Sequence, residues 1–208
     1  MNLPNKLTLT RIILIPFFLV ALHIQLFTDN LVITAIAFWT ALIIFVVAAI
    51  TDYLDGSIAR RLNIVTNFGK LFDPLADKLL TMAAFVSFVE ILGPNGRPIF
   101  PAWAIILILA REYLVTGLRS VALNNGSVIH ADKWGKQKTI WQLIAIITVL
   151  AALAISSTLQ ANDINSAPLD RFLPHVFRGM LYLVVALTTL SGIIFFFKNR
   201  DVLHDDAA

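Results

Sequence analysis

The sequence contains no cysteine, and only 14% of its residues are charged. Without cysteine the chain cannot form disulfides, thiolate metal sites, iron–sulfur clusters or thiol nucleophiles. Its four histidines are scattered and form no HxxxH or HxxH pair, so a histidine-based zinc site has little support. Any metal site in this protein must therefore be built from oxygen ligands.

Apolar residues are abundant where charged ones are scarce. Of the 208 residues, 58% are hydrophobic, and the mean hydropathy is +0.81. A water-soluble fold is not expected at this hydropathy, because a chain of this length has more apolar residues than its interior can hold. We predict one integral-membrane domain covering residues 1–208.

Six stretches of the chain are apolar for about 20 residues, the length that a helix needs to cross roughly 30 Å of hydrocarbon. Turn-forming residues separate them, at 28–30, 93–98, 124–126 and 162–174. The pattern predicts an all-α, polytopic membrane protein with six transmembrane helices, at approximately Leu9–Phe27, Leu31–Thr51, Phe72–Leu92, Ile99–Val121, Thr139–Leu159 and Val176–Phe197.

The first apolar stretch has a second interpretation. Lys6 and Arg11 could supply the positive region of a signal peptide. However, no small-x-small cleavage site precedes the polar Thr28, and five more hydrophobic segments follow. A retained transmembrane helix is the favoured interpretation.

The basic residues predict the orientation of these helices, because cytoplasmic loops hold an excess of lysine and arginine. If both termini are cytoplasmic, only Arg97, Arg171 and Arg178 fall on the other side, which leaves the other 13 of the 16 lysines and arginines inside. Most of these are expected to face solvent and lipid headgroups. The distribution predicts an even number of spans with both termini in the cytoplasm.

Four aspartates lie where two predicted helices meet the cytoplasmic surface. Asp52 and Asp55 are three residues apart, and Asp73 and Asp77 are four apart, so each pair lies on one face of its helix. Pro74 is expected in the first turn of the third helix or at a kink. Taken singly, each aspartate could be a water-exposed residue paired with a nearby basic side chain. As a set beside transmembrane helices, they predict a functional site.

Four carboxylates at a membrane boundary repel one another and lose hydration, so they need compensating cations. Two divalent ions would balance the four formal charges, and oxygen ligands favour Mg²⁺ or Mn²⁺. Such a two-metal site can hold a pyrophosphate and stabilise both its attacking and its leaving oxygens. The aspartates therefore predict chemistry on phosphate groups.

Small residues accompany the aspartates at one-turn spacing. Gly56 and Ala59 lie four residues after the two aspartates of the first pair, and Gly69 lies four residues before the second pair. Small residues would let a nucleotide approach the helix backbone closely. Close packing of two membrane helices is the alternative for each residue taken alone. Beside four aspartates, we favour the nucleotide.

Written as a pattern, the segment from Asp52 to Asp77 reads D-x2-D-G-x2-A-R-x8-G-x3-D-x3-D. It resembles the signature of the CDP-alcohol phosphatidyltransferase family, and every fixed position of that signature is present. The six predicted spans also agree with this family. Flanking motifs at Leu3–Arg11, Gly69–Lys78 and Arg111–Arg119 resemble the bacterial branch that makes phosphatidylglycerophosphate.

The resemblance implies transfer of the phosphatidyl group from CDP-diacylglycerol to the hydroxyl of sn-glycerol 3-phosphate, with release of CMP. It also implies a homodimer in the bacterial cytoplasmic membrane, embedded in membrane lipid, with its active site at the cytoplasmic face and no nucleic-acid partner. By position, the four aspartates would bind the two metal ions, and Asp77 would also be the catalytic base. The CDP moiety would be held by Gly56, Ala59, Arg60 and Gly69.

The acceptor carries its own phosphate, which requires cations separate from the metal site. Arg111 and Arg119, eight residues apart near the inner end of the fourth helix, and Lys136 before the fifth helix are the candidates. Arginine suits this role best because it binds phosphate through two parallel hydrogen bonds. Membrane topology is the preferred explanation for the flanking lysines, including Lys138. Glu112 is expected to pair with a neighbouring cation and orient it.

Two alternatives stay open at this point. The same transfer could use another alcohol, such as serine, inositol phosphate or phosphatidylglycerol. A small transporter or channel would use intramembrane acids as an ion pathway, but it would be expected to carry charge near the bilayer midplane. Here the acids cluster at one surface and the helix centres are almost uncharged, which favours the enzyme.

Overall fold

The computed structural model describes residues 3–62, 67–124 and 133–199, and the side chains of residues 9–51, 78–122 and 135–199. Within these ranges the chain forms six α-helices and one short 3-10 helix, and no β-strand. The prediction of an all-α protein is confirmed. The helices are α1 (Leu3–His23), α2 (Leu31–Leu62), α3 (Asn67–Glu90), α4 (Ala102–Asn124), α5 (Lys133–Ala161) and α6 (Ala167–Lys198).

Four segments of the described chain are long and apolar enough to cross a membrane. They correspond to the first, second, fifth and sixth predicted spans: Leu9–Leu26, Leu31–Thr51, Gly135–Ala161 and Ala167–Lys198. In α4 three charged residues, Arg111, Glu112 and Arg119, interrupt the apolar sequence, and α3 carries several charges in its first half. The part of the chain that the structure describes is thus all-helical, with four candidate membrane spans.

Two short connections lie where the sequence predicts turns. Asn30 caps α2, because its side-chain Oδ1 accepts hydrogen bonds from the backbone N–H groups of Val32 and Ile33 at 3.0 and 3.2 Å. The turn after α3 is closed by the N–H of Gly93, which donates to the carbonyl of Arg97 at 2.8 Å. Gly96 has a φ of 68° in this turn, a conformation that glycine adopts without steric cost.

The last connection is shorter than predicted. α6 begins at Ala167 and not near Val176, so the second half of the predicted 162–174 turn is helical. Ser166 starts the helix: its carbonyl accepts the N–H of Asp170 at 2.9 Å, and its hydroxyl donates to the carboxylate of Asp170 at 2.7 Å. Pro168 does not prevent this start, because a proline in the first turn of a helix lacks an N–H that would have had no partner there.

The chain divides into two compact units. Unit 1 comprises Met1–Ile99 and Ile146–His175, and unit 2 comprises Phe100–Ala145 and Val176–Ala208. The single domain remains a prediction. In unit 1, α1 packs against α2 and α3, and the rings of Phe18 and Phe45 lie with their centroids 5.7 Å apart. Unit 1 therefore holds both of the helices that carry the aspartates.

A group of polar side chains joins α5 to α6 within unit 1. The carboxylate of Asp170 accepts hydrogen bonds from the Ser156 hydroxyl at 2.6 Å, the Ser166 hydroxyl at 2.7 Å and the Gln160 amide at 3.3 Å. We call these four residues the polar knot. Its donors are all neutral, so the carboxylate is satisfied without a cation.

Candidate active site

The aspartate signature lies on two consecutive helices. α2 continues past the apolar stretch to Leu62, and α3 begins at Asn67. Asp52 and Asp55 are therefore one turn apart on α2, and Asp73 and Asp77 are one turn apart on α3. The backbone has the helical periodicity on which the predicted four-carboxylate site depends.

Pro74 lies in the interior of α3, since this helix begins seven residues earlier at Asn67. Of the two predicted positions, the first turn of the helix is wrong, and a kink at Pro74 stays a prediction. Proline lacks the N–H that would bond to the carbonyl four residues back, so α3 continues across it with one ladder bond fewer. This irregular turn directly follows Asp73.

The side chains of the signature lie outside those that the structure describes. This applies to the four aspartates and to the predicted nucleotide-binding residues, which are Gly56, Ala59, Arg60 and Gly69. Their roles, and the facing of the two aspartate pairs, stay predictions.

A second charged group lies in unit 2 and its side chains are described. We call it the basic cluster; it consists of Arg111, Glu112 and Arg119 of α4 with Lys138 of α5. Glu112 contacts the ammonium group of Lys138 directly, and its Oε1 lies 3.6 Å from Nη1 of Arg111. The sequence predicted that Glu112 would pair with one neighbouring cation, and in the structure it pairs with two.

The cluster is largely removed from solvent. The side chains of Lys138, Arg111 and Glu112 are 4%, 12% and 13% exposed. Lys138 therefore does not belong to the headgroup-facing rim, where topology alone had placed it. A cation buried to this extent needs a charged partner, and Glu112 supplies it. Arg11 of α1, in unit 1, is also buried rather than part of that rim.

The two arginines of the cluster are held by α6. Nη2 of Arg111 donates to the hydroxyl of Ser191 at 2.7 Å. The guanidinium carbon of Arg119 lies 5.5 Å from the centre of the Phe195 ring, a cation–π contact. Arg119 is also close enough to Arg111 for their charges to repel. The structure thus brings together both arginines that the sequence proposed for an acceptor phosphate.

Lys136 lies apart from this arrangement. It is exposed on α5, and no contact among the described residues joins it to either arginine. Lys138 occupies the buried position two residues later. With three cations and one carboxylate, the basic cluster has a formal charge of +2. Such a cluster is suited to a doubly charged anion, and a phosphate monoester is one.

Sequence reasoning assigned Lys138 to membrane topology, and it missed three residues of α6 that contact the arginines, namely Ser191, Gly192 and Phe195. One signal pointed to Lys138, because Glu112 is the one acid of α4 and a carboxylate in an apolar helix needs a cation. Ser191 and Gly192 gave no comparable signal. Small residues are common in membrane helices, and only the packing of α6 reveals that an arginine lies against these two.

The comparisons with known proteins place this chain in a family. Residues 1–194 match the CDP-alcohol phosphatidyltransferase family. The chain belongs to that family. It is accordingly a transferase, and the resemblance read from the aspartate signature is confirmed.

The CDP-alcohol phosphatidyltransferases that resemble this chain include bacterial proteins similar over most of their length. A CDP-diacylglycerol–glycerol-3-phosphate 3-phosphatidyltransferase of Bacillus subtilis strain 168 is 38% identical over 207 residues, 97% of each chain. A protein of the same name from Rickettsia felis is 38% identical over 145 residues, 70% of this chain and 72% of that one. A probable phosphatidylglycerophosphate synthase of Mycobacterium tuberculosis is 35% identical over 192 residues, 92% of this chain and 85% of that one.

Proposed function

We propose that this protein transfers the phosphatidyl group of CDP-diacylglycerol to a hydroxyl of sn-glycerol 3-phosphate, giving phosphatidylglycerophosphate and CMP. The observation that carries the proposal is the intact aspartate signature in a chain that is 38% identical, over 97% of its length, to a Bacillus subtilis protein named for this reaction. The formal charge of +2 on the basic cluster supports an acceptor that brings its own phosphate.

The donor atoms of the signature suit divalent metal ions. Four carboxylates on two helices supply only hard oxygen ligands, which is the preference of Mg²⁺ and Mn²⁺. Asp52, Asp55, Asp73 and Asp77 would hold two such ions. Bound there, the ions would balance the carboxylate charges and stabilise negative charge on the phosphate oxygens of the CDP group.

The chain's own residues carry the remaining chemistry. Asp77 takes the proton of the acceptor hydroxyl, since a primary alcohol attacks phosphorus poorly until a base within hydrogen-bonding reach accepts its proton. Arg60 binds the CDP phosphates, while Gly56, Ala59 and Gly69 leave room for the nucleotide beside the helix backbone. The oxygen–phosphorus bond to the acceptor forms, and the bond to CMP breaks.

The acceptor phosphate binds the basic cluster in this proposal. Arg111 and Arg119 offer guanidinium N–H groups to its oxygens, and Lys136 approaches from the exposed side of α5. The buried ion pair between Lys138 and Glu112 holds the carboxylate of Glu112 beside Arg111. An acceptor without a phosphate, such as serine, would leave the positive charge of this cluster uncompensated.

Purified protein in detergent provides the test. Incubation with labelled CDP-diacylglycerol and each acceptor alcohol in turn should give phosphatidylglycerophosphate and CMP with sn-glycerol 3-phosphate, with chelation of divalent ions abolishing the reaction. Preference for serine, inositol phosphate or phosphatidylglycerol would overturn the choice of acceptor.

Asp77→Asn should abolish turnover and keep CDP-lipid binding, whereas Asp52→Asn should weaken that binding. Wild-type turnover by Asp77→Asn would remove its assignment as base.

We also propose a homodimer with six spans per chain, both termini in the cytoplasm and the active site at the cytoplasmic face. Because the chain has no cysteine, a single introduced cysteine reports its own location. Asn95→Cys and Asn162→Cys should react with an impermeant thiol reagent added to intact cells, and Ser120→Cys should react only after permeabilisation. All three positions are exposed. The reverse pattern would invert the topology, and the mass of the purified protein in detergent tests the dimer.

A further inference from the structure

One face of α6 within unit 2 is shaped around the two arginines of α4. It consists of Thr188, the adjacent pair Ser191 and Gly192, and Phe195, so that three successive helical turns contribute to it. We call this face the α6 seat. All four residues are buried. Ser191 accepts the hydrogen bond of Arg111, and the ring of Phe195 lies against Arg119.

Gly192 gives Arg111 the room that it occupies. A β-carbon at this position would lie 3.1 Å from Cγ of Arg111 and 3.8 Å from its Nε. The arginine cannot yield freely, because its far end is fixed by Ser191 on Nη2 and by Glu112 on Nη1. A residue larger than glycine therefore presses on Cγ of Arg111, and the side chain must shift by a few tenths of an ångström against these two contacts.

Polar atoms at this seat lack partners among the described residues. They are Nε of Arg111, Nε of Arg119 and the hydroxyl oxygen of Thr188, and all three are buried. Buried donors in proteins nearly always have a hydrogen-bond partner, and leaving one without a partner is costly. An anion with several acceptor oxygens would satisfy both arginine N–H groups at once.

We propose that the α6 seat positions Arg111 and Arg119 so that their Nε–H groups, which have no partner among the described residues, meet the phosphate of the acceptor. In this proposal, which rests on the proposed function, Ser191 and Gly192 are positioning residues. They do not touch the substrate. They act by fixing where the guanidinium of Arg111 lies, and so they determine affinity for the acceptor rather than for the CDP-lipid.

The experiment compares two glycine-to-alanine variants of the same helix. Gly192→Ala places a methyl group against Arg111, whereas Gly179→Ala places it in open space with nothing within 4 Å. Gly192→Ala should raise KM for sn-glycerol 3-phosphate by about tenfold or more, the loss expected when a charged hydrogen bond is broken. KM for CDP-diacylglycerol should stay unchanged. Gly179→Ala should match the wild type in both constants.

Ser191→Ala provides the second variant in case Gly192→Ala does not fold. It removes the acceptor of the Arg111 hydrogen bond without adding volume, and it should shift the same KM in the same direction. Active variants with an unchanged KM for sn-glycerol 3-phosphate would overturn the proposal. So would equal increases in the KM values of both substrates, because that pattern indicates a general structural defect.

Binding of inorganic phosphate separates this proposal from the proposed function. Phosphate should raise the unfolding temperature of the wild type and of Gly179→Ala, and should have a smaller effect on Gly192→Ala. If the wild type responds in this way but does not use sn-glycerol 3-phosphate, the reaction is misassigned and the anion site stands. Equal responses from all three proteins would overturn the positioning role of the α6 seat, and no response from the wild type would overturn the anion site.

Discussion

Two partly buried carboxylates of this protein are stabilised in different ways. Asp170, in the polar knot of unit 1, accepts hydrogen bonds from three neutral side chains on α5 and at the start of α6. Glu112, in the basic cluster of unit 2, lies between Lys138 and Arg111. The first carboxylate is satisfied by dipoles and the second by charges.

The difference shows which group can serve a ligand. In the polar knot each of the three donor side chains has the carboxylate of Asp170 as an acceptor, so the group is closed and links α5 to α6. In the basic cluster one carboxylate cannot neutralise three cations, and Nε of Arg111 and of Arg119 remain without partners among the described residues. We infer that the knot has a structural role and that the cluster has a functional one.

The largest effect on stability is expected for Glu112→Gln, which removes the carboxylate of the basic cluster. Removing the carboxylate takes away the negative charge that the buried cations Lys138 and Arg111 share, which should lower the free energy of unfolding by about 3–5 kcal/mol. Thermal unfolding in detergent measures the loss. Glu90→Gln is the matched control, because Glu90 is 66% exposed beside His23 and such pairs contribute about 1 kcal/mol or less. Equal unfolding temperatures of the two variants would show that the buried pair adds no stability.

Asp170→Asn tests the structural role of the polar knot. It replaces one carboxylate oxygen by an amide that cannot accept the bonds made there, and should lower the free energy of unfolding by about 1–3 kcal/mol. Turnover per folded molecule should not change, because the knot binds no substrate. Asp163→Asn is the control, since Asp163 is exposed and its φ of 55° is tolerated by asparagine. A raised KM for sn-glycerol 3-phosphate in Asp170→Asn would contradict the structural role.

A double variant, Glu112→Met with Lys138→Met, separates stability from binding. Replacing a buried ion pair by apolar residues of similar size is often neutral for folding, so the unfolding temperature should return toward that of the wild type. Arg111 loses its Nη1 partner, however, and KM for sn-glycerol 3-phosphate should be about tenfold above that of the wild type. A wild-type KM in this double variant would show that Glu112 does not position Arg111.

The sequence predicted the helices more accurately than the side-chain contacts between them. Apolar length and turn residues predicted six helices, because both depend on local chemistry. The predicted start of α6 was wrong, because Pro168 was included in the 162–174 connection, whereas it lies in the first turn of the helix. The signature predicted the family, because eight fixed positions of matching chemistry occur at fixed spacing.

The partners of the arginines could not be predicted in the same way. Arg111 and Ser191 are 80 residues apart in the chain, and nothing local to Ser191 or Gly192 distinguishes them from residues that merely pack helices. Lys138 was assigned to topology because lysine near a helix end usually faces headgroups. Its burial depends on α5 bringing it to Glu112, which is a tertiary contact.

The smallest expected effect concerns a contact between helices of unit 1 that belongs to neither group. The indole N–H of Trp39 on α2 donates to the hydroxyl of Thr158 on α5 at 3.0 Å. Trp39→Phe removes this donor and should lower the free energy of unfolding by about 0.6 kcal/mol, the average for polar contacts between membrane helices. Trp103→Phe, at another exposed tryptophan, controls for lost ring area. Since Trp39 is exposed, lipid and water can replace the lost bond in part, and for that reason its contribution should lie below that of the partly buried Asp170. A loss equal to that of Asp170→Asn would show that burial does not set the strength of these contacts.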